Sequence, residues 1–263
     1  MAGKFDKSGH AVKTAIKTIS LSGSSRRQHY FAPPDNLQLD WAFHDASTTL
    51  LAGLQIDEVL CQQANGRQLR PGEVGCYSSH VSIWRGLLDN SDLAQIIVLE
   101  DDVIADWLVL SQLSAIDWSK LGIDYLKIHY KYPAKFRRVC WDYPIKDRHV
   151  VQLTSLALGT TGYLLTKSGA RKLEQYCRVV RRPIDLEMDR AWSTKLPVFG
   201  LVPAPIIEMS SPTTILGREP LIDTSYRTLK YLAGRLLEHT REKSYSIVAP
   251  RVRIDVKKAP PVL

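Results

Sequence analysis

The sequence predicts an α/β protein with a mixed, mainly parallel sheet flanked by helices. Segments typical of strands and of helices alternate along the 263 residues, and this order builds parallel sheets that are covered on both faces. Residues 95–99 (QIIVL) are short and wholly apolar, which favours a buried strand over a helix. Residues 73–88, just before that strand, carry apolar side chains at helical spacing.

The remaining elements of the first half follow in order. Residues 15–21 (AIKTISL) are a predicted strand, and a polar loop follows them. The helix at 73–88 ends at Asn90 and Ser91. A further strand is predicted at 124–130, and a long basic and aromatic loop at 131–148.

The second half has the same alternation. Strands are predicted at 151–158 and 161–165, on either side of Gly159. Thr166 is a predicted N-cap for a helix over 167–177, and Pro183 precedes a short helix over 184–194. Residues 198–209 are expected to be extended and 225–243 to form an amphipathic helix, and the chain beyond Ala249 is expected to be a loose tail.

The composition is that of a soluble globular protein, with 44% hydrophobic and 24% charged residues. No apolar run has the length of a signal peptide or a membrane span, so we expect a cytoplasmic protein. One domain is predicted at 15–217, with a flexible N-terminus at 1–14 and a basic helix and tail at 218–263. The cysteines are widely spaced without a CxxC pair, so free thiols are expected rather than a disulfide framework or a structural zinc site: Cys61, Cys76, Cys140 and Cys177.

Positive charge is concentrated near the C-terminus. The formal net charge is +8, and residues 218–263 hold ten Lys or Arg against five acidic residues. Such a segment favours an anionic partner, although a solvated face explains it equally well. The helix at 225–243 could lie on an anionic membrane. The alternative, which is preferred, is that this helix docks on the domain with its charges in water. No nucleic-acid recognition motif is present, so no nucleic acid is expected as a partner.

Three acidic residues follow the buried strand directly: Glu100, Asp101 and Asp102. Like charges this close raise one another's pKa unless a cation or hydrogen-bond donors offset them. Mg²⁺ and Mn²⁺ prefer carboxylate oxygens and often share their coordination with substrate phosphates. Because ligands of α/β sheets bind beyond the carboxyl ends of the strands, the cluster is interpreted as a metal site; a solvated acidic turn is the alternative.

Four ordered blocks carry a resemblance to a known family. Residues 71–80 (PGEVGCYSSH), 97–103 (IVLEDDV), 161–170 (TGYLLTKSGA) and 183–185 (PID), with 19–21 (ISL) and Arg26-Arg27, resemble glycosyltransferase family 25. This family comprises bacterial lipopolysaccharide and lipooligosaccharide sugar transferases, with animal collagen glycosyltransferases as relatives. The resemblance extends from about residue 15 to 215.

The resemblance implies a GT-A-type fold and an inverting, metal-dependent transfer of galactose or glucose. The donor would be a UDP-sugar, the cofactor Mn²⁺ or Mg²⁺, and the acceptor a hydroxyl of a cell-surface glycan or glycolipid. Asp102 would be the direct metal ligand, and Glu100 would contact the metal or the ribose. Asp101 would face away from the metal and is placed among the donor-binding residues.

Further residues are assigned on the same basis. Asp185 is the candidate general base, with a first-turn cap as the alternative, and Asp189 is its reserve because i,i+4 residues share a helix face. The donor-binding candidates are Leu21, Arg26, Arg27, Ser79, His80, Thr161 and Gly162. For His80 a structural role, and for the arginine pair a solvated loop, are the alternatives.

The chain departs from the family pattern at three places. Ser78 stands where many members have leucine before Ser-His, and the glycine of the Ala-Val-Asp-Gly-like segment is missing near residues 44–47. Residues 208–216 contain no histidine, so a third metal ligand cannot be named. Two alternatives to a transferase remain: a metal-dependent phosphoesterase, and a non-catalytic nucleotide-sugar-binding relative at the membrane.

Overall fold

The computed structural model describes residues 12–209 and 229–258, and an eight-stranded sheet forms its centre. The sheet order is β2-β1-β4-β9-β6-β11-β8-β7. Its strands are β1 Thr14–Ser20, β2 Asp40–Asp45, β4 Gln95–Glu100, β6 Tyr125–Lys127, β7 Phe136–Cys140, β8 His149–Leu153, β9 Gly162–Thr166 and β11 Val198–Val202. Four short strands form two small ladders: β3 Gln55–Ile56 with β10 Val179–Val180, and β5 Val103–Ala105 with β12 Ile206–Glu208.

The predicted mixed α/β sheet is confirmed. Strands β1, β2 and β4 are mutually parallel, as are β6 and β11, whereas β9 is antiparallel to both of its neighbours and β8 to both of its own. Six strands therefore run in one direction and two in the other. The carboxyl ends of β1, β2 and β4 lie side by side at one edge.

Seven helices accompany the sheet in the described residues. They are α1 Glu58–Asn65, α2 Pro71–Asp89, α3 Trp107–Ser114, α4 Lys167–Tyr176, α5 Ile184–Asp189, α6 Ala191–Thr194 and α7 Leu229–Val248. None of the helices in this part of the chain is long and apolar enough to cross a bilayer.

Each face of the sheet has its own hydrophobic core. Because side chains alternate along a strand, Ile96 and Val98 of β4 pack with α2 and α4, and Ile97 and Leu99 pack with α3 on the other face. This explains why the β4 sequence is apolar at every position and not at alternate ones.

Helix α2 begins where its sequence dictates. Pro71 occupies the first turn, and the Glu73 carboxylate accepts a hydrogen bond from the Arg70 backbone N–H at 2.8 Å. A side chain at Gly75 would collide with the Ser47 carbonyl. The missing Cβ therefore lets the helix approach the loop after β2, beside the edge where the parallel strands end.

Several predicted elements differ in extent; the strand predicted at 124–130, for example, is Tyr125–Lys127. The strand predicted at 151–158 ends at Leu153, because the backbone N–H groups of Ala157 and Leu158 donate to the Asp189 carboxylate and not to a neighbouring strand. The predicted loop at 131–148 contains the edge strand β7. The helix predicted at 184–194 is two helices that meet at Arg190.

Helix α7 docks on the domain through polar contacts. The Glu238 carboxylate binds the Arg190 guanidinium with two bonds, of 2.6 and 2.7 Å, and Glu242 accepts from the Leu156 N–H at 3.0 Å. The stripe of apolar side chains on α7 is exposed: Leu229, Leu232, Leu236, Leu237 and Ile247. Residues 225–228, where the predicted helix begins, lie outside the described residues.

The expectation of a loose tail beyond Ala249 is wrong for residues 250–258. Val252, Ile254 and Val256 are partly buried against the core on the α3 side of the sheet, because alternate residues of this segment are apolar and share one face. The N-terminus at 1–11, the domain boundary at 217 and the last five residues lie outside the described residues.

Candidate active site

A cavity of about 600 Å³ lies at the edge where β1 and β4 end. The loop after β1, the start of α2, the loop before β9 and the first turn of α5 all line it. Nine residues predicted from the sequence are brought together in its wall: Leu21, Arg26, Ser79, His80, Glu100, Asp101, Asp102, Thr161 and Asp185.

Three predicted site residues lie outside the lining. Arg27 donates to the Asp45 carboxylate and to the Ser20 carbonyl, so it braces the ends of β1 and β2. Gly162 lies buried in β9, where a Cβ would meet the Ile206 side chain at 2.5 Å. Asp189 is buried on the far side of the loop at 157–159.

Two of the three clustered carboxylates are held by Arg26. Its guanidinium donates to Asp101 at 3.0 Å and to Asp102 at 3.4 Å. Asp101 also accepts from the Ser20 hydroxyl at 2.6 Å, so its two oxygens are engaged by the last residue of β1 and by the loop that follows. Asp102 differs: its Oδ1 is buried and has no hydrogen-bond partner among the described residues.

Glu100 carries a strongly perturbed carboxyl group. Burial, followed by the charge of Asp102, raises the pKa of Glu100 to about 7, and a 2.6 Å hydrogen bond from the Thr160 hydroxyl only partly opposes this. Burial also raises the pKa of Asp102, with the Arg26 charge acting in the opposite direction. Burial together with neighbouring negative charge therefore disfavours the ionised form of both carboxyl groups.

Glu208 is a member of this acidic group that the sequence did not reveal. It lies on β12 opposite Val103 of β5, and the Met209 N–H donates to the Asp102 carbonyl at 2.7 Å. Its charge contributes to the raised pKa of Glu100 and of Asp102. Strands β12 and β5 lie about a hundred residues apart in the sequence and pair only in the folded protein. No local sequence signal therefore marked Glu208.

Asp185 lies in the first turn of α5 and lines the cavity. One carboxylate oxygen accepts from the Leu186 N–H at 2.8 Å and the other from the Gly159 N–H at 3.3 Å. Gly159 has a φ of +78°, a conformation that favours glycine. Backbone N–H groups of α5 and of the loop before β9 therefore orient the Asp185 carboxylate.

Ser79 and His80 lie on the buried part of α2. The Ser79 hydroxyl accepts from the Ser47 N–H at 2.8 Å and donates to the Gly75 carbonyl at 2.8 Å, so it ties α2 to the loop after β2. His80 has its Nδ1 within 2.9 Å of the Tyr163 hydroxyl. Burial lowers the pKa of His80 to about 3, so the imidazole is neutral.

Basic side chains from separate segments face the same space. Beside the acidic group, the wall of the cavity contains Arg26, Arg67, Arg70 and Lys131. Lys131 lies 3.7 Å from the Glu208 carboxylate. A cavity with carboxylates at one side and cations around it suits a metal-bound phosphate ligand, since the metal and the cations neutralise different oxygens.

Comparison with known proteins identifies a family. The family model described as glycosyltransferase family 25 (LPS biosynthesis protein) matches residues 14–188. A putative glycosyltransferase of Haemophilus influenzae is 31% identical over 65% of this chain and 60% of its own length. The lipooligosaccharide biosynthesis protein lex-1 of the same organism is 26% identical over 46% of this chain and 42% of its own.

An animal protein also matches. Human procollagen galactosyltransferase 2 is 26% identical over 41% of this chain and 17% of its own length. The chain therefore spans between about a sixth and three fifths of these relatives. The family resemblance drawn from the four sequence blocks is confirmed by the family match, which includes β1, the acidic cluster and Asp185.

Proposed function

Because the chain belongs to glycosyltransferase family 25, we propose that it is an inverting, metal-dependent hexosyltransferase. Its donor is a UDP-sugar, with galactose or glucose as the hexose, and its acceptor is a hydroxyl of a lipopolysaccharide-type or other cell-surface glycan. The similarity to a galactosyltransferase and to a lipooligosaccharide biosynthesis protein supports a hexose donor and a glycan acceptor.

One observation carries the proposal of a divalent metal. The buried Asp102 Oδ1 has no partner in the described residues, in a cavity that also contains Glu100 and Glu208. Leaving a buried charged oxygen unpaired is costly, and carboxylates are the ligands that Mn²⁺ and Mg²⁺ prefer. Asp102 and Glu208 would hold the ion, with Glu100 beside them, and the ion would offset the charge of the departing diphosphate.

The chain's own residues supply the rest of the reaction. Asp185 accepts the proton of the acceptor hydroxyl while that oxygen attacks the anomeric carbon opposite the diphosphate. The N–H groups of Leu186 and Gly159 fix the carboxylate for this task. Arg26, already bound to Asp101 and Asp102, brings positive charge to the diphosphate side.

The fold supports a GT-A-type assignment. The cavity opens beyond the carboxyl ends of parallel strands, where α/β folds bind nucleotides. Leu21 at the end of β1 and Thr161 before β9 line it from opposite sides of β4, and we assign them to the nucleotide and to the donor sugar, respectively.

Peripheral contact of α7 with an anionic membrane is part of the proposal. The exposed leucines of α7 are accompanied by Lys230, Arg235, Arg241 and Lys243, a combination that suits anionic lipid. The polar contacts of Glu238 and Glu242 leave this apolar stripe facing outwards. Such contact would bring the cavity to a lipid-linked acceptor. Cosedimentation with anionic and with neutral vesicles tests it, and equal pelleting of wild type and Leu236→Glu contradicts it.

A donor panel tests the activity. The full chain is incubated with UDP- and GDP-hexoses and Mn²⁺, first for protection against thermal unfolding and then with glycan acceptors. We expect protection by a UDP-hexose only with the metal, and a product whose mass rises by one hexose. Release of phosphate or free sugar without transfer would support a hydrolase, and binding without any turnover would support a non-catalytic relative.

A further inference from the structure

A second group of potential metal ligands lies in the wall of the same cavity. Cys76 and His80 are one turn apart on α2, at the i,i+4 spacing that places two side chains on one helix face. Glu100, at the end of β4, faces them across the helix–sheet contact. The Cys76 Sγ, an imidazole nitrogen of His80 and a Glu100 oxygen all lie within 4.8 Å of one another.

The contact between His80 Nδ1 and the Tyr163 hydroxyl fixes the orientation of the imidazole ring. Its Nδ1 lies 2.9 Å from the Tyr163 hydroxyl, which also accepts from the Trp84 indole N–H at 2.9 Å. In the tautomer whose Nδ1–H donates to Tyr163, the lone pair is on Nε2. A histidine that ligates a metal commonly has its other nitrogen hydrogen-bonded in this way.

The remaining nitrogen points to a ligand. His80 is 0% exposed, and its Nε2 has no hydrogen-bond partner among the described residues. Buried polar atoms are nearly always satisfied, and leaving one unpaired costs about 1–3 kcal/mol. His80 lines the cavity together with Cys76 and Glu100, so a cation bound between the three side chains would satisfy Nε2.

From this geometry we propose that Cys76, His80 and Glu100 form a binding site for a zinc-class divalent cation. A thiolate, an imidazole and a carboxylate are the ligands that Zn²⁺ accepts, and three protein ligands leave a fourth position for water or another ligand. Mg²⁺ and Mn²⁺ avoid thiolate. This site therefore prefers a different metal ion from the one that the carboxylates of Asp102 and Glu208 would bind. The two sites share Glu100.

The sharing of Glu100 has a functional consequence that rests on the proposed hexosyltransferase activity. A zinc ion held by Cys76 and His80 would draw Glu100 away from the Mn²⁺ or Mg²⁺ ion proposed at Asp102. Zinc would therefore inhibit sugar transfer. Binding releases the proton of the Cys76 thiol to solvent. The spacing of the cysteines predicted no structural zinc site because Glu100 meets Cys76 and His80 only through packing of α2 on β4.

Cobalt provides a direct probe of the thiolate. The full chain is freed of metal with a chelator and titrated with Co²⁺. We expect one equivalent to give a thiolate-to-cobalt charge-transfer band in the near ultraviolet that Zn²⁺ removes and Mg²⁺ does not. Cys76→Ser should abolish the band, His80→Gln should weaken cobalt binding at least tenfold, and Cys140→Ser should retain both.

The same cobalt titration can overturn the proposal. Absence of the band in the wild type, its persistence in Cys76→Ser, or its equal loss in Cys140→Ser would each exclude this site. Circular dichroism establishes that each variant is folded, and His80→Gln decides the case if Cys76→Ser does not fold. Because the band is read without substrates, failure of sugar transfer with the band intact contradicts the proposed activity and leaves the site standing.

Discussion

The Lys127 ammonium and the Asp189 carboxylate form a fully buried ion pair behind the cavity. Lys127 Nζ donates to both carboxylate oxygens, at 2.8 and 3.0 Å, and each side chain is 1% exposed. Lys127 also donates to the Gly159 carbonyl at 2.8 Å, and Asp189 accepts from the N–H of Leu158 at 2.7 Å. The pair therefore shapes the loop that presents Gly159 to Asp185.

Neutralising one partner of this pair should destabilise the fold. In Asp189→Asn the Lys127 charge stays buried without its counter-charge, and we expect a loss of about 3–5 kcal/mol of unfolding free energy. Urea or thermal unfolding measures it. Asp92→Asn, an exposed partner of Lys13, is the matched control and should change stability little. Equal stability of the two variants would contradict the structural role.

Replacing Asp102 tests the metal site. Asp102→Asn keeps the shape of the side chain and removes the charge beside Glu100, so we expect Mn²⁺ binding to weaken by at least tenfold and metal-dependent transfer to be lost. Calorimetric titration with Mn²⁺, with and without UDP, measures the first effect. Unchanged binding and turnover in Asp102→Asn would remove Asp102 from the site.

Glu208 should behave like Asp102 although it lies far away in sequence. Glu208→Gln removes a charge that raises the pKa of both Glu100 and Asp102. If Glu208 only repels them, the variant binds Mn²⁺ as well as or better than the wild type. If Glu208 is a ligand, as we propose, Mn²⁺ affinity falls. The same titration distinguishes these outcomes, with Asp92→Asn as the control.

The role of Asp185 predicts a change in turnover without a change in donor binding. Asp185→Asn keeps one acceptor oxygen for the Leu186 N–H, but its NH₂ group can neither accept from Gly159 nor remove a proton. The kcat should therefore fall by about 10²–10⁴ while Kd for the UDP-sugar stays within a factor of about three. Kinetics and calorimetry give the two values. Loss of donor binding, or a normal kcat, would assign Asp185 to capping alone.

Acid should loosen α7 before the domain unfolds. Burial alone would raise the pKa of Glu238, but the hydrogen bonds and charge of Arg190 outweigh it, so the pKa falls below its ordinary 4.5. The contribution of this pair is complete above about pH 4.5 and is lost as the pH falls through the lowered pKa. Hydrogen exchange of α7 should accelerate there and, in Glu238→Gln, already at pH 7. Unchanged exchange in that variant would contradict the proposed anchor.

Local sequence was enough to identify the fold class and the edge of the sheet at which the candidate site lies. The apolar run of β4 followed by Glu100, Asp101 and Asp102 marks a buried strand and its carboxyl end, because both features are encoded in adjacent residues. The family blocks placed Asp185 in the same way. The prediction that i,i+4 spacing places Asp185 and its reserve Asp189 on one helix face did not anticipate that Lys127 of β6 binds Asp189 within the core.

What the sequence by itself determined was therefore the identity of the family, the alternation of strands and helices, and the acidic cluster after β4. Only the tertiary structure decided that Glu208 joins that cluster, that His80 and Cys76 face Glu100, and that the α7 leucines point outwards while residues 252–256 pack against the core. The reason is physical: strand ends and caps depend on neighbours in the chain, whereas ligand sets and burial depend on which distant segments pack together.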